Sequence, residues 1–403
     1  MTDRSRTGTG TSRVMAVLFA GAFVMGSAEE LVYGMLDLVS EGLTISIPAA
    51  GNLVTANALG LMIGGPVLAW LTVRLDRRTV IVASMTAFVA LNLVPVLIDA
   101  YPLIIAARAL LGAVQGVFIA AAITTATSLA RPDRAGRAMA LVISGFATAS
   151  ALGLPAFTYL GQQLGWRNSF LTIALVGSLV LAASVALLPM VPTAPESLGA
   201  GQVRQAFAPR VLAVLVLCGL VFAAVQAAMT YLVPFLGEVT DISGTAVTLY
   251  LLLYGVAAVG GSVAGGRLAD ANAGRALVVG TLALTASLLA MVLLGHHPVS
   301  MAATVLCVGL CTGTAPSLQH RVETLAGPGA PLAASLPASA VYAGIAVGAW
   351  GGGAAIDAAG PPAAVLVGAA IAAAAVITAV ATRRLQPASP EVGAPQAREP
   401  IPV

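Results

Sequence analysis

Lysine is missing from this chain; all 19 basic residues are arginines. Charge of either sign is scarce, at 9% of residues against roughly 25% in a soluble globular protein. That shortage excludes a soluble enzyme-sized domain anywhere along the 403 residues. The net charge of +3 is too small and too scattered for nucleic-acid binding. Only three cysteines occur, Cys218, Cys307 and Cys311, all in apolar runs. Cys307 and Cys311 are one helical turn apart, but two thiols without further ligands make no metal site, so they read as free thiols. His296 and His297, beside Pro298, read as loop residues. No nucleophile–base pair, metal set or phosphate loop is visible, so neither an enzyme nor a bound cofactor is expected.

Apolar residues fill the space that charge leaves, at 59% of the chain. They fall into twelve runs of roughly 20 residues, the length of a membrane-crossing helix. The runs cover 13–39, 48–73, 79–98, 101–129, 137–162, 167–190, 211–236, 245–268, 275–295, 299–319, 332–356 and 362–382. The expected fold is an all-α polytopic membrane protein with twelve transmembrane helices in two pseudo-symmetric six-helix halves. Residues 1–12 form a cytoplasmic tail, 13–190 the first half, 191–210 a polar linker, 211–382 the second half and 383–403 a disordered cytoplasmic tail. The first run is too long, and too acidic, for a cleaved signal peptide. It reads as a retained helix.

Arginine sets the orientation. With the N-terminus inside, the inner loops and tails receive nearly every arginine, the outer loops hold Arg167, and Arg108 stays within a span. Both termini are therefore expected in the cytoplasm. The halves also echo each other: GGPVLAWLTVRLDRRTV (64–80) follows the second span, and GGSVAGGRLADANAGRAL (260–277) the eighth. Repeated halves with a site between them near the bilayer midplane are a recurrent transporter design.

These residues resemble the major facilitator superfamily over nearly the whole chain. GGRLADANAGR is similar to its loop motif between paired helices, whereas the first-half copy has Val73 about where the aspartate belongs and Asp76 about where the last glycine belongs. AARALLGAVQG (106–116) resembles the fourth-helix motif of the drug:proton antiporters, and ISGFATASALGLPAFTYLGQQLGWRNSF their fifth-helix motif. GSAEELVYGML, AGNLVTANALG, YLVPFLGEVT, PSLQHRV and AASLPASAVYAGIAVGAWGGG are similar to the arabinose-efflux-like and chloramphenicol-exporter-like branch. The resemblance implies a proton-coupled antiporter exporting a small amphipathic compound by rocking one half against the other. It depends on a proton gradient and the lipid bilayer, with no cofactor and no nucleic-acid partner. A monomer in the bacterial inner membrane is expected. Two alternatives stay open: an uptake or sugar-efflux carrier, and a non-transporting membrane sensor or scaffold. The chain departs from the branch at Glu30, where Phe is usual, at Asp37, where Pro is usual, and at Pro337 and Tyr342, where Asn is usual.

The intramembrane charges carry the chemistry. A carboxylate at a helix centre costs about 2.5–3.5 kcal/mol on the insertion scale, so it faces a cavity, pairs or takes a proton. Glu30 is ten residues before Ser40, hence ~15 Å from the end of its helix, and Arg108 lies ~9 Å inside the fourth, so their depths are compatible. Arg108 either snorkels to the surface or couples to a helix-one carboxyl. Glu29 aligns with the family's usual acid and is the first choice for proton coupling, with Glu30 as a second cavity carboxyl or an interhelical partner. Adjacent residues on a regular helix point ~100° apart, so both cannot face one spot. An acidic cavity favours cationic cargo. Asp37 reads as a solvated position near the helix end.

Candidate cavity residues are Tyr33, Asn52, Asn57, Gln115, Gln226, Tyr231 and Tyr342, each of which could instead bond a neighbouring helix. Tyr33 lies four residues after Glu29, on the same helical face. Gln226 and Tyr231 face the cavity only if the seventh helix behaves as in the family. Gly145 and Gly153, with Ala149 between them and Pro155 after, favour close helix contact in the fifth span. Arg74, Asp76, Arg77, Arg78, Asp270 and Arg275 are candidates for ion pairs that latch the inner gate.

Overall fold

The computed structural model describes residues 4–131, 134–190 and 204–386. The expected linker lies outside these residues as far as 203, as do residues 1–3 of the leading tail and 387–403 of the closing one. Every described element is helical. Among the described residues, eleven helices are long and apolar enough to cross a membrane. One of them, Thr245–Leu294, has 50 residues and would run ~75 Å if straight, against a hydrocarbon core of ~30 Å. Its backbone leaves the helix at Asn272 (φ −167°, ψ 90°), so it is two spans joined by a bend. The chain is an all-α polytopic membrane protein with twelve crossings.

Span 1 is Arg4–Glu30 continued by Leu36–Leu43, and span 2 is Ile47–Leu71. Spans 3 to 6 are Arg77–Leu97, Tyr101–Leu129, Ala135–Leu164 and Trp166–Leu187. Span 7 is Pro209–Met229 continued by Leu232–Val239. Spans 8 and 9 share Thr245–Leu294, and spans 10 to 12 are Pro298–Gly329, Leu336–Ala359 and Pro361–Thr382. Local sequence explains the starts. Proline stands in the first turn of spans 4, 7, 10 and 12, where its missing N–H costs nothing. Ser46 caps span 2 by accepting from the Ala49 amide at 3.2 Å. Gly165 (φ +92°) and Gly360 (φ +75°) make the short turns between spans 5 and 6 and spans 11 and 12, a backbone region costly for other residues.

The repeat heard in sequence has a constant register of 196 residues. Leu36–Leu43 matches Leu232–Val239. The residues before them, Met35 (φ −130°, ψ 21°) and Tyr231 (φ −109°, ψ 22°), share one conformation. Asp76 caps span 3 through the Thr79 amide at 3.0 Å, and Asn272 caps span 9 through the Arg275 amide at 2.9 Å. Packing repeats as well. Gly65 lies against Gly116, so spans 2 and 4 touch backbone to backbone, and Gly261 and Gly265 let span 8 do the same with Leu310 and Gly313 of span 10. Hydrocarbon cannot drive apolar helices together, so such close backbone contact supplies the attraction.

Several spans are interrupted. Span 1 breaks at 31–35, span 7 at Thr230–Tyr231 and span 10 at Thr312–Gly313. Spans 2 and 5 carry π-turns at Gly60–Gly64 and Ala149–Gly153. The expectation of an unbroken first helix over 13–39 is corrected here: the regular helix ends at Glu30. Breaks are tolerated at membrane depth only where other groups satisfy the freed backbone.

The two sets of six spans meet mainly in the part of the bundle away from the tails. There Ile47–Leu59 packs on span 11, the middle and far segments of span 5 pack on span 8, and Leu232–Val239 touches Leu36–Leu43. Tyr231 is the largest residue sealed in this contact; it is 1% exposed. Its hydroxyl donates to the Ala349 carbonyl at 2.8 Å, and its ring fills the space left by Gly51 of span 2 and Gly352 and Gly353 of span 11.

Candidate functional site

The break in span 1 creates the site. A helix ending inside the membrane leaves its last carbonyls without intrahelical donors and a partial negative charge at its end. Arg108 of span 4 answers both. It is 2% exposed, and its guanidinium donates to the carbonyls of Ala28 at 2.8 Å and Glu29 at 3.1 Å. Arg108 therefore does not snorkel to the surface. It reaches the first helix, as its depth suggested, but its hydrogen bonds go to the main chain and not to a carboxylate.

Behind it lies a buried polar seam. Gln115 donates to the Met25 carbonyl at 2.8 Å and accepts from Asn57 at 3.0 Å, and Asn57 also donates to the Arg108 carbonyl at 3.3 Å. Gln115 is fully buried and Asn57 is 2% exposed. Both bond neighbouring helices, so the structure places them in the wall joining spans 1, 2 and 4.

Glu29 and Glu30 are the last two residues of the helical segment, and both are half-buried. They diverge, as adjacent helical residues must. Glu29 accepts from the Tyr342 hydroxyl of span 11 at 3.5 Å, a contact between the two sets of six spans. Glu30 accepts from the Ser150 hydroxyl at 2.5 Å, within the π-turn of span 5, while its other carboxylate oxygen is buried without a partner. Tyr33, 8% exposed, sits in the 3-10 turn within the break and lies with Tyr254 and Tyr342 in electrostatic reach of the carboxyls. Two carboxyls, one guanidinium and three phenols thus gather where spans 1, 4, 5, 8 and 11 converge.

Other candidates lie elsewhere. Tyr231 belongs to the seal and not to this cluster. Gln226 is 6% exposed and donates to the Thr230 hydroxyl at 2.8 Å, holding the break of span 7. Asn52 is half-buried and makes no side-chain hydrogen bond among the described residues. Gly153 presses on Ser27, and Gly145 on Phe19 and Ala22 of span 1, with Pro155 buried beside them. Asp37 is half-buried, with one carboxylate oxygen unpartnered, so it is not simply solvated.

Among the described residues the six candidate latch residues of the loops show no ion pair with one another. Asp76 is occupied as a cap, bonded to the Thr79 hydroxyl and amide, which hold its carboxyl below the usual aspartate range. Arg78 donates to the Val185 carbonyl of span 6 at 2.6 Å. Arg74, Asp270 and Arg275 are exposed, and Arg77 is half-buried. An ion pair between Arg167 and Asp99 lies at the opposite end of the bundle, where Arg167 also covers the Trp166 ring at 4.3 Å.

Ser150 and Tyr254 were missed in the sequence. Ser150 lies inside the fifth-helix stretch ISGFATASALGLP, where the glycines signalled packing and concealed a hydroxyl that a π-turn rotates towards Glu30. Tyr254 stood as one tyrosine in an apolar run. The break in span 1 had no helix-breaking proline to announce it.

Apolar spans converging on a few buried and half-buried polar side chains suit a secondary transporter of small molecules. Among the described residues no three His, Cys, Asp or Glu side chains come together to hold a metal ion. The profile of the Major Facilitator Superfamily matches residues 18–330, and the chain belongs to that family. It is 29% identical to the uncharacterised transporter YtbD of Bacillus subtilis, over 83% of this chain and 86% of that one. It is 30% identical to the inner membrane transport protein YdhP of Escherichia coli K12 (84% and 87% covered). It is 28% identical to the chloramphenicol resistance protein of Streptomyces lividans (82% and 86% covered). A crystal structure of the peptide transporter POT in complex with sulfate shares the fold at TM-score 0.74 and 15% identity, with 93% of each chain covered. A bacterial homologue of the lysosomal transporter Spinster, in an inward-facing and unoccupied conformation, does so at TM-score 0.70 and 14% identity, with 93% and 94% covered.

Proposed function

We propose that the protein is a proton-coupled antiporter exporting a small, amphipathic, cationic organic compound. The observation that carries this reading is the unequal lodging of the two carboxyls. Glu29 bonds across to Tyr342, so its surroundings change whenever the two sets of spans move relative to each other. Glu30 bonds to Ser150 within the first set and travels with it. A proton carrier needs an environment that alternates, because burial and nearby charge set the affinity of a carboxyl for its proton. Glu29 meets that need. Glu30, with one unpartnered oxygen and Tyr254 in electrostatic reach, suits a cargo ammonium, since aromatic rings and a carboxylate both attract cations.

Rocking of the halves supplies alternating access. The seal around Tyr231 closes the end away from the tails, so on this reading cargo enters from the end that carries them. On this reading the arginine-rich end faces the cytoplasm of a bacterial inner membrane, and the protein works as a monomer. Similarity to the chloramphenicol resistance protein of Streptomyces lividans favours export over uptake.

The test uses inverted vesicles with an imposed pH gradient. Cationic amphiphiles should dissipate the gradient through the wild-type protein. Glu29→Gln should abolish that exchange, whereas Glu30→Gln should keep proton coupling for neutral compounds and lose it for cations. Undiminished exchange by Glu29→Gln would refute the coupling role.

A further inference from the structure

A cavity also lies away from the carboxyls. It is a groove of about 770 Å³ between spans 8 and 9, floored by span 10. That volume falls within the ~300–1,000 Å³ range of ligand pockets. Its walls are Gly261 and Gly265 on span 8, Val279 and Ala283 on span 9, and Leu310 and Thr314 on span 10. From the bend at Asn272 the groove extends eleven residues along each of spans 8 and 9, to Gly261 and Ala283. That is ~16 Å at 1.5 Å per residue, or one leaflet of a ~30 Å hydrocarbon core.

The end at the bend is polar and cationic. Arg275 lines it, exposed and with no partner for its guanidinium among the described residues. Span 9 starts there, with the Arg275 amide taken by Asn272 and the remaining amides of its first turn adding positive potential. The side chain of Arg383 lies close to Gly274 at the same end. Ser317, 1% exposed, also lines the groove, and its hydroxyl has no hydrogen-bond partner. A buried unpartnered hydroxyl costs about 1–3 kcal/mol, so its presence in the groove marks a place for a polar group from elsewhere.

We infer that this groove holds one anionic phospholipid, with an acyl chain along spans 8 and 9 and the headgroup against Arg275, the start of span 9 and Ser317. The occupant follows from the surroundings. The groove is apolar for the depth of one leaflet and cationic where headgroups lie, and basic pockets between membrane helices select anionic headgroups.

The test is native mass spectrometry of the full chain, released from detergent containing equal amounts of phosphatidylglycerol and phosphatidylcholine. One retained lipid is expected, with phosphatidylglycerol preferred. Arg275→Gln should lower that preference about fivefold, the loss of one arginine near a headgroup. Ala264→Phe and Val279→Phe fill the groove from opposite walls, and both should lose the retained lipid while eluting as monodisperse protein. Equal retention of the two lipids by wild type, an unchanged preference in Arg275→Gln, or lipid surviving in either filled variant would each overturn the assignment. Displacement of the lipid by tetraphenylphosphonium would overturn it too, by making the groove a cargo site.

Discussion

Gly51→Ala is the sharpest test of the seal between the halves. A Cβ at Gly51 would run into the Tyr231 hydroxyl and come within 2.8 Å of Cζ and 2.9 Å of Cε1, closer than real side chains approach. The ring cannot retreat, because Gly352 and Gly353 already take its other edge and its hydroxyl is held by the Ala349 carbonyl. Overpacking of this kind costs about 1–3 kcal/mol. The cost falls on the sealed conformation alone, since separating the halves frees Gly51. A difference of that size moves a two-state equilibrium by about 5- to 150-fold. Pulsed electron paramagnetic resonance between labels at Glu41 and Asp241, both exposed, reads the change, with the exposed Cys307 replaced by serine. The variant should populate the longer distance more than wild type does. Tyr231→Leu removes the end of the ring, so Gly51→Ala should add little in that background, a non-additivity expected of residues in contact. An unchanged distance distribution, or an equal shift in both backgrounds, would refute the reasoning.

Three further outcomes follow from the geometry. Arg108→Ala leaves the Ala28 and Glu29 carbonyls without their charged donor, at about 1.5–3 kcal/mol per bond; thermal unfolding in detergent should show a loss that Arg108→Lys, reaching one carbonyl at a time, partly restores. Gly265→Ala places a methyl against the Gly313 carbonyl, whereas Gly266→Ala meets open space; the first should lower the unfolding temperature and the second leave it unchanged. Asp76→Ala removes a helix cap worth about 1 kcal/mol. Because the folded Asp76 carboxyl is held below its ordinary value, its contribution is present above the usual aspartate range and is lost as pH falls through the depressed folded value. A pH series of unfolding temperatures for wild type and Asp76→Ala should converge in acid.

The fold was legible because hydrocarbon imposes one demand. Every span must be an apolar helix of set length, and the run expected over 101–129 is the helix Tyr101–Leu129. The register of the repeat was equally open, since the Gly-Gly pairs at 64 and 260 precede Asp76 and Asn272 by the same distance. What stayed hidden is what helical periodicity cannot express. Tyr33 was placed on the face of Glu29 by counting turns, but the helix ends between them. Arg108 suggested a carboxylate partner because charges attract, whereas a broken helix end offers carbonyls that attract a guanidinium too. Tyr231 had the composition of a cavity residue, and only the three glycines around it, drawn from distant parts of the chain, reveal a space shaped for its ring.

Met35 and Tyr231 occupy the same place in the repeat and share one backbone conformation, yet their side chains settle differently. Met35 rests against Gly161 of its own half, while Tyr231 also reaches Gly51 of the other. The duplicated frame therefore carries a bolt on one side only, and the glycines of the opposite half are its keeper. Two similar parts become unlike in this way. Exchanging the parts would not reproduce the seal, because only one of them can throw the lock.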